Sequence, residues 1–120
     1  MKFIKAIRLA TTINQDSPAE IRLAVKELLE AMLEDNNLKV EDIISVYFTL
    51  TPDVKSLNPA TAVREQLQWN SVPMICAQEA FIEGGMQKCI RGLIHASFEE
   101  DKKVHHIYQR EAKSLRMDWS

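Results

Sequence analysis

Two arginines stand inside apolar runs of this chain, Arg8 within residues 3–9 and Arg91 within residues 86–98. A guanidinium in such surroundings is costly unless an anion answers it. Its planar fork matches a carboxylate through two parallel hydrogen bonds, so convergent arginines beside an apolar wall suit a small ligand that carries planar carboxylates. The structural alternative is an ion pair, for which Glu79 is a partner to Arg91. Glu79 lies in the run 72–80, three residues after Cys76, and on a regular strand that spacing puts the two on opposite faces. Both serve one pocket only if the strand bends near Glu79. No neighbouring His, Asn or Asp pattern activates Cys76, which reads as a packed thiol in preference to a nucleophile. Tyr108 is either a core ring with a satisfied hydroxyl or a ligand contact. His95, His105 and His106 share no ligand spacing with Cys76 or Cys89, so no metal site is expected, and His105 and His106 read as surface residues. Gly84-Gly85 lacks the lysine and third glycine of a phosphate loop and reads as a turn.

These side chains need elements to hold them. Residues 3–9 alternate, with Phe3, Ile7 and Leu9 on one side and Ile4, Ala6 and Arg8 on the other, the period of a strand. Ser17-Pro18-Ala19-Glu20 supplies a cap hydroxyl, a proline at the first helical position and a glutamate three residues after the cap. Ile21, Ala24, Val25, Leu28 and Met32 then recur at steps of three and four, giving one long amphipathic helix that fades at Asn36-Asn37. Residues 43–50 are β-branched and aromatic and stop at Thr51-Pro52-Asp53, so they form a second strand ended by a turn. Asn58-Pro59 caps a shorter helix through Ala62, Val63 and Leu67. A third strand is expected over 72–80. Residues 86–98 fit helix or strand by periodicity alone, and strand is preferred, with Arg91 on the face of Cys89 and Leu93. Residues 99–103 form a charged loop or the first turn of a short helix carrying Val104 and Ile107. A last strand-like piece spans 108–115.

The sequence therefore predicts a single α+β domain over residues 1–120, α/β-like in its β-α-β order, with one long helix covering one face of a mixed sheet. The other apolar face needs cover, which points to an oligomer. A net charge of -2 and a pI near 5.9 exclude a protein whose main work is neutralising nucleic-acid phosphates. The amino terminus has no apolar run of signal-peptide length, and no segment approaches the roughly 20 apolar residues that span a bilayer. No membrane partner and a cytoplasmic location are expected.

Taken in order, Ala6-Ile7-Arg8 with Ala10-Thr11-Thr12, Thr51-Pro52-Asp53, Pro59-Ala60 with Ala62-Val63-Arg64-Glu65, Val72-Pro73, Cys76 with Gln78-Glu79, Gly84-Gly85, Lys88-Cys89-Ile90-Arg91, and Tyr108 with Leu115-Arg116 resemble the AroH class of chorismate mutases. The resemblance covers nearly the whole chain. It implies an isomerase that converts chorismate to prephenate by a Claisen rearrangement in aromatic amino-acid biosynthesis. It also implies a homotrimer whose sheets surround a pseudo-barrel, with active sites in the clefts between subunits. By the same resemblance Arg91 meets the ether oxygen of the breaking bond, Glu79 accepts from the ring hydroxyl, and Arg8 and Tyr108 hold the enolpyruvyl carboxylate. Cys76 matches a pocket residue near Glu79, Arg64 an arginine near the mouth from the adjacent chain, and Leu115 and Arg116 a segment that orders over the ligand. Asn58, Ala60, Thr61 and Ile75 match further residues around the pocket. No cofactor is implied, because the rearrangement moves no proton and needs no covalent intermediate.

Four positions depart from the family's pattern. Leu9 stands where glycine is usual after the strand arginine, Asn58 replaces an aromatic residue, Thr61 a lysine, and Ile75 a small polar residue. The loss of a cation at Thr61 implies weaker capture of a dianion. An alternative reading is a non-catalytic or weakly active trimeric binder of a small dicarboxylate.

Overall fold

The computed structural model describes residues 2–115. Arg116, named above, lies outside the described residues. Five strands form one mixed sheet: β1 (Phe3–Thr12), β2 (Ile43–Leu50), β3 (Met74–Gln78), β4 (Cys89–Phe98) and β5 (Ile107–Tyr108). Their spatial order is β3-β2-β4-β1-β5. The central strand β4 runs antiparallel to both β1 and β2, while β3 and β5 add parallel edges to β2 and β1.

Helix α1 (Pro18–Asp35) begins where the cap signal placed it: Ser17 Oγ accepts from the Glu20 N–H at 3.2 Å, with Pro18 at the first helical position. The Glu20 carboxylate turns back to accept from the Asn14 and Gln15 N–H groups, tying the end of the β1 loop to the helix start. Ile21, Ala24, Val25, Leu28, Leu29 and Met32 are buried against the sheet. Each of these side chains apart from Ala24 contributes about 1.5–3 kcal/mol when fully withdrawn from water. Helix α2 (Pro59–Leu67) is capped by Asn58, whose Oδ1 accepts from the Ala60 N–H at 2.8 Å. It ends at Gln68, which takes a left-handed backbone (φ 58°), and Trp69 closes that end of the core.

The helices cover one sheet face, carried by Ile7, Leu9, Val46, Phe48, Ile90, Ile94, Ala96 and Phe98. On the opposite face lie Ile4, Ala6, Arg8, Tyr47, Thr49, Arg91, Leu93 and His95, and there Ile4, Tyr47 and Ile75 stay exposed. Among the described residues no helix is long and apolar enough to cross a membrane.

Three expected elements are shorter than their sequence signal. β3 is confined to five residues, and β4 starts at Cys89 because Lys88 takes a left-handed φ of 49° and redirects the chain. The strand expected over 108–115 is only Ile107–Tyr108, followed by a 3-10 helix, Arg110–Leu115. Arg110 breaks the strand with a φ of 55°, and its guanidinium then donates to Thr12 O and to Glu27 at 2.9 Å. Ala112, fully buried, and the Glu111 N–H bound to Thr12 Oγ1 fix this helix against β1.

Candidate active site

The uncovered sheet face carries a cavity of about 320 Å³. Its lining includes Arg8, Tyr47, Thr49, Arg91, Leu93, Tyr108 and Leu115. Strand register explains this assembly. Arg8 stands opposite Leu93 and Arg91 opposite Ala10 in the β1–β4 ladder, so the two arginines share one face on neighbouring strands. Tyr108 pairs with Ala10 on the other side of β1. The Gln109 N–H donates to Ala10 O at 2.9 Å, and the 3-10 helix that follows carries Leu115 to the cavity wall.

Arg91 is held from behind by a turn. Thr51 Oγ1 accepts from the Cys89 N–H at 2.9 Å and donates to Asp53 at 2.6 Å, and Asp53 accepts from the Lys88 N–H. The start of β4 is thus pinned two residues before Arg91. Across the ladder from Arg91 stands Thr49, whose hydroxyl donates to Glu79 Oε2 at 2.6 Å. The same carboxylate oxygen lies 3.1 Å from Arg91 Nε, within ion-pair distance but outside hydrogen-bonding geometry. The anticipated Arg91–Glu79 pair therefore exists, and it is open: Arg91 lines the cavity with 38% of its side chain exposed. The Tyr108 hydroxyl oxygen is buried with no hydrogen-bond partner among the described residues.

β3 does not bend. The Glu79 N–H continues the ladder to Leu50 O at 2.7 Å, and Cys76 pairs with Phe48 and packs on the helix-covered side. Within one chain Cys76 and Glu79 therefore face opposite ways. Burial pushes the Cys76 thiol up, and burial pushes Cys89 up to about 11 against a smaller opposing effect of Arg91, so both are neutral thiols near neutrality. Neither is poised as a nucleophile.

The remaining expected residues fall in a second group. Asn58, Ala60, Thr61 and Arg64 lie at the start and along α2, and Ile75 and Cys76 on the adjacent edge strand, away from the cavity of Arg8 and Arg91. Asn58 and Arg64 are exposed, Ala60 is buried, and Ile75 is 66% exposed. The expected site residues thus fall into two groups on separate parts of the chain.

Leu9 fits without displacing Arg8. It stands opposite Gly92, and a Cβ at Gly92 would meet Leu9 Cδ1 at 3.3 Å, so the glycine across the ladder supplies the room. Sequence reasoning missed Thr49, Tyr47 and His106. The signal for the first two was the alternation of 43–50, which sets them on the face of Arg91. His106 is not the surface residue expected: its Nδ1 accepts from the Arg8 N–H at 2.9 Å.

The family described as chorismate mutase type I matches residues 4–119. Chorismate mutase AroH of Bacillus subtilis (strain 168) is 38% identical over 118 residues, covering 98% of this chain and 93% of its own length. Chorismate mutase AroH of Thermus thermophilus is 38% identical over 118 residues, covering 96% of this chain and 95% of its own. A solved chorismate mutase from Clostridium thermocellum superimposes with a TM-score of 0.88 at 39% identity, covering 92% of this chain and 99% of that one.

Proposed function

Because the chain belongs to the type I chorismate mutase family it isomerises chorismate to prephenate in aromatic amino-acid biosynthesis, and we propose that it does so with fixed charges in a cleft completed by a neighbouring copy. The observation that carries the reading is the convergence of Arg8, Arg91 and Tyr108 on one cavity, with Glu79 fixed beside Arg91.

In a Claisen rearrangement the carbon–oxygen bond breaks ahead of carbon–carbon bond formation, so negative charge gathers on the ether oxygen. A cation aimed at that oxygen stabilises the transition state more than the ground state. Arg91 takes this role. Glu79 sits against its Nε edge, which leaves the terminal N–H groups of the fork as donors. The Glu79 carboxylate accepts from the ring hydroxyl of the substrate, and Arg8 and Tyr108 hold the enolpyruvyl carboxylate. The walls of the completed cleft confine the flexible dianion to its reactive, chair-like form, which removes part of the barrier as prepaid entropy. No residue need transfer a proton, so turnover should change little with pH while Glu79 stays ionised.

The second group of residues supplies the far wall. In a homotrimer with sites between subunits, Asn58, Ala60, Thr61, Arg64, Ile75 and Cys76 of a neighbouring copy would face Arg8, Arg91 and Glu79, with Leu115 at the cavity wall beside the ligand. The exposed apolar residues Ile4, Tyr47 and Ile75 on the uncovered sheet face support association through that face. A cytoplasmic enzyme without nucleic-acid or membrane partners completes the reading.

The test is chorismate disappearance, followed in the near ultraviolet, with purified wild-type protein and Arg91→Ala. Wild-type turnover should fall by at least about 10²- to 10³-fold in the variant. Sedimentation should give a trimer for both. Near-normal turnover in Arg91→Ala sinks the role of this guanidinium.

A further inference from the structure

We infer that His106 is a positioning residue for substrate binding, acting through Arg8, whose backbone it holds in register with the imidazole in place of a main-chain carbonyl. The parallel ladder between β1 and β5 comprises only Leu9 opposite Ile107 and Ala10 opposite Tyr108. Continued by one residue, it would bring the chain at His106 beside Arg8. The chain is drawn off instead. Asn36, buried at the end of α1, donates from Nδ2 to His105 O at 3.0 Å and accepts from the His105 N–H at 2.8 Å, so both peptide groups of His105 are committed to the helix. The Arg8 N–H then has no strand carbonyl to meet on this side, and His106 Nδ1 accepts from it at 2.9 Å. The imidazole thereby extends the ladder by one residue.

Accepting from a main-chain N–H requires Nδ1 to be unprotonated, which assigns the neutral tautomer with hydrogen on Nε2. Nε2 is then directed elsewhere than Arg8 N. The ring borders a second cavity with Asp35 from α1, Tyr108 from β5 and Lys113 from the closing 3-10 helix, and the Arg8 guanidinium lies on the β1 side. One contact therefore couples the two carboxylate-binding residues. Arg8 is held by His106, and Tyr108, two residues on, is held by the pairing that His106 completes. A strand edge that frays at Arg8 moves the clamp without touching Arg91 or Glu79.

This inference rests on the reading of Arg8 as a carboxylate clamp. The substrate carboxylate carries the same charge in ground and transition states, so a displaced clamp weakens both equally and appears in KM before kcat. Asn at this position can offer Oδ1 near the place of Nδ1, whereas Phe keeps the ring and removes the acceptor.

The experiment is steady-state kinetics at pH 8, where an ordinary imidazole is neutral, on wild type, His106→Asn and His106→Phe, with long-range proton–nitrogen spectra of the wild-type imidazoles. His106→Phe should raise KM roughly tenfold, in keeping with the loss of one backbone hydrogen bond at a half-buried donor, with kcat within about twofold. His106→Asn should return KM to within about threefold of wild type, a rescue that a merely space-filling role does not predict. The spectra should show His106 protonated on Nε2 and bare on Nδ1. A normal KM in His106→Phe, a failure of Asn to rescue, or a proton on Nδ1 each overturns the inference. If His106→Phe does not fold, the Asn variant and the tautomer decide it. Absence of chorismate turnover in the wild type, with the expected tautomer present, would instead remove the functional reading and leave the ladder contact standing.

Discussion

Thr49→Val isolates how the charge pair at the cavity is kept open. The substitution removes a hydroxyl and leaves a β-branched side chain of nearly the same shape, suited to its place in β2. What is lost is the 2.6 Å donation to Glu79 Oε2. A hydrogen bond to an ionised group is worth about 1.5–3 kcal/mol, and water recovers part of that at a carboxylate whose side chain is 22% exposed, so the lower end applies. The lost contact also shifts a balance. Glu79 Oε2 is held between the Thr49 hydroxyl and Arg91, with Arg91 Nε at 3.1 Å but off the hydrogen-bond line. Without Thr49 the carboxylate is drawn fully onto the guanidinium, which then presents less positive charge to an ether oxygen. That loss is specific to the transition state. At about 1.4 kcal/mol per decade, kcat should fall roughly tenfold with KM little changed. Thr49→Ser keeps the hydroxyl and should stay within about threefold of wild type. The assay is chorismate turnover at saturating and limiting substrate. A Thr49→Val enzyme with wild-type kcat, or a Ser variant as impaired as Val, would refute the reasoning.

Two further outcomes are expected. In the proposed trimer Thr61→Lys brings a cation to the edge of a site for a dianion, and a unit charge about 8 Å away at intermediate dielectric contributes about 1 kcal/mol. KM should drop roughly fivefold at low salt, with kcat unchanged, and the gain should fade as ionic strength rises; a lower KM in Thr61→Ala with none in Thr61→Lys would show that charge is not the cause. Burial holds Cys89 as a neutral thiol up to about pH 11, and Cys76 is shifted the same way, so iodoacetamide near neutral pH should label either slowly and leave turnover intact. Because the folded state favours the protonated thiol, the stability linked to Cys89 is complete near neutrality and is lost as pH climbs past the ordinary thiol range toward about 11. Rapid stoichiometric labelling of Cys89 at pH 7, read by mass spectrometry of peptides, contradicts its burial.

The parts of the site legible in the sequence are those set by local period. Alternation over 3–9 assigned the faces of β1, β-branched and aromatic content marked 43–50 as a strand, and Ser17-Pro18 with Glu20 fixed the start of α1, because capping, pleat and propensity act over a few residues. The closing 3-10 helix was not legible. Its course follows from a left-handed Arg110 and from contacts to Thr12 and Glu27, which are distant in sequence. His106 was hidden for the same reason: nothing near it in the chain reveals that Asn36 diverts His105 and leaves the Arg8 N–H to an imidazole. Three-residue spacing did separate Cys76 from Glu79 correctly, since β3 stays regular through Gln78.

Leu9 shows why one position in a ladder cannot be judged alone. Taken by itself, a bulky residue at the position where the family resemblance implies glycine predicts a shifted backbone at Arg8. In the folded sheet its side chain is 2% exposed, and it passes over Gly92, whose added Cβ would come within 3.3 Å of it. Bulk on β1 is matched by its absence on β4, and the register is unbroken on either side, with Arg8 opposite Leu93 and Ala10 opposite Arg91. That register places two guanidinium-bearing residues on a ladder diagonal, where backbone positions are about 7–8 Å apart. Two cations on one face favour an anion between them, and Glu79 is the anion beside Arg91. In the proposed function a dicarboxylate in the cavity meets both guanidinium groups, and their like charge on one face favours a dianion there over a neutral ligand.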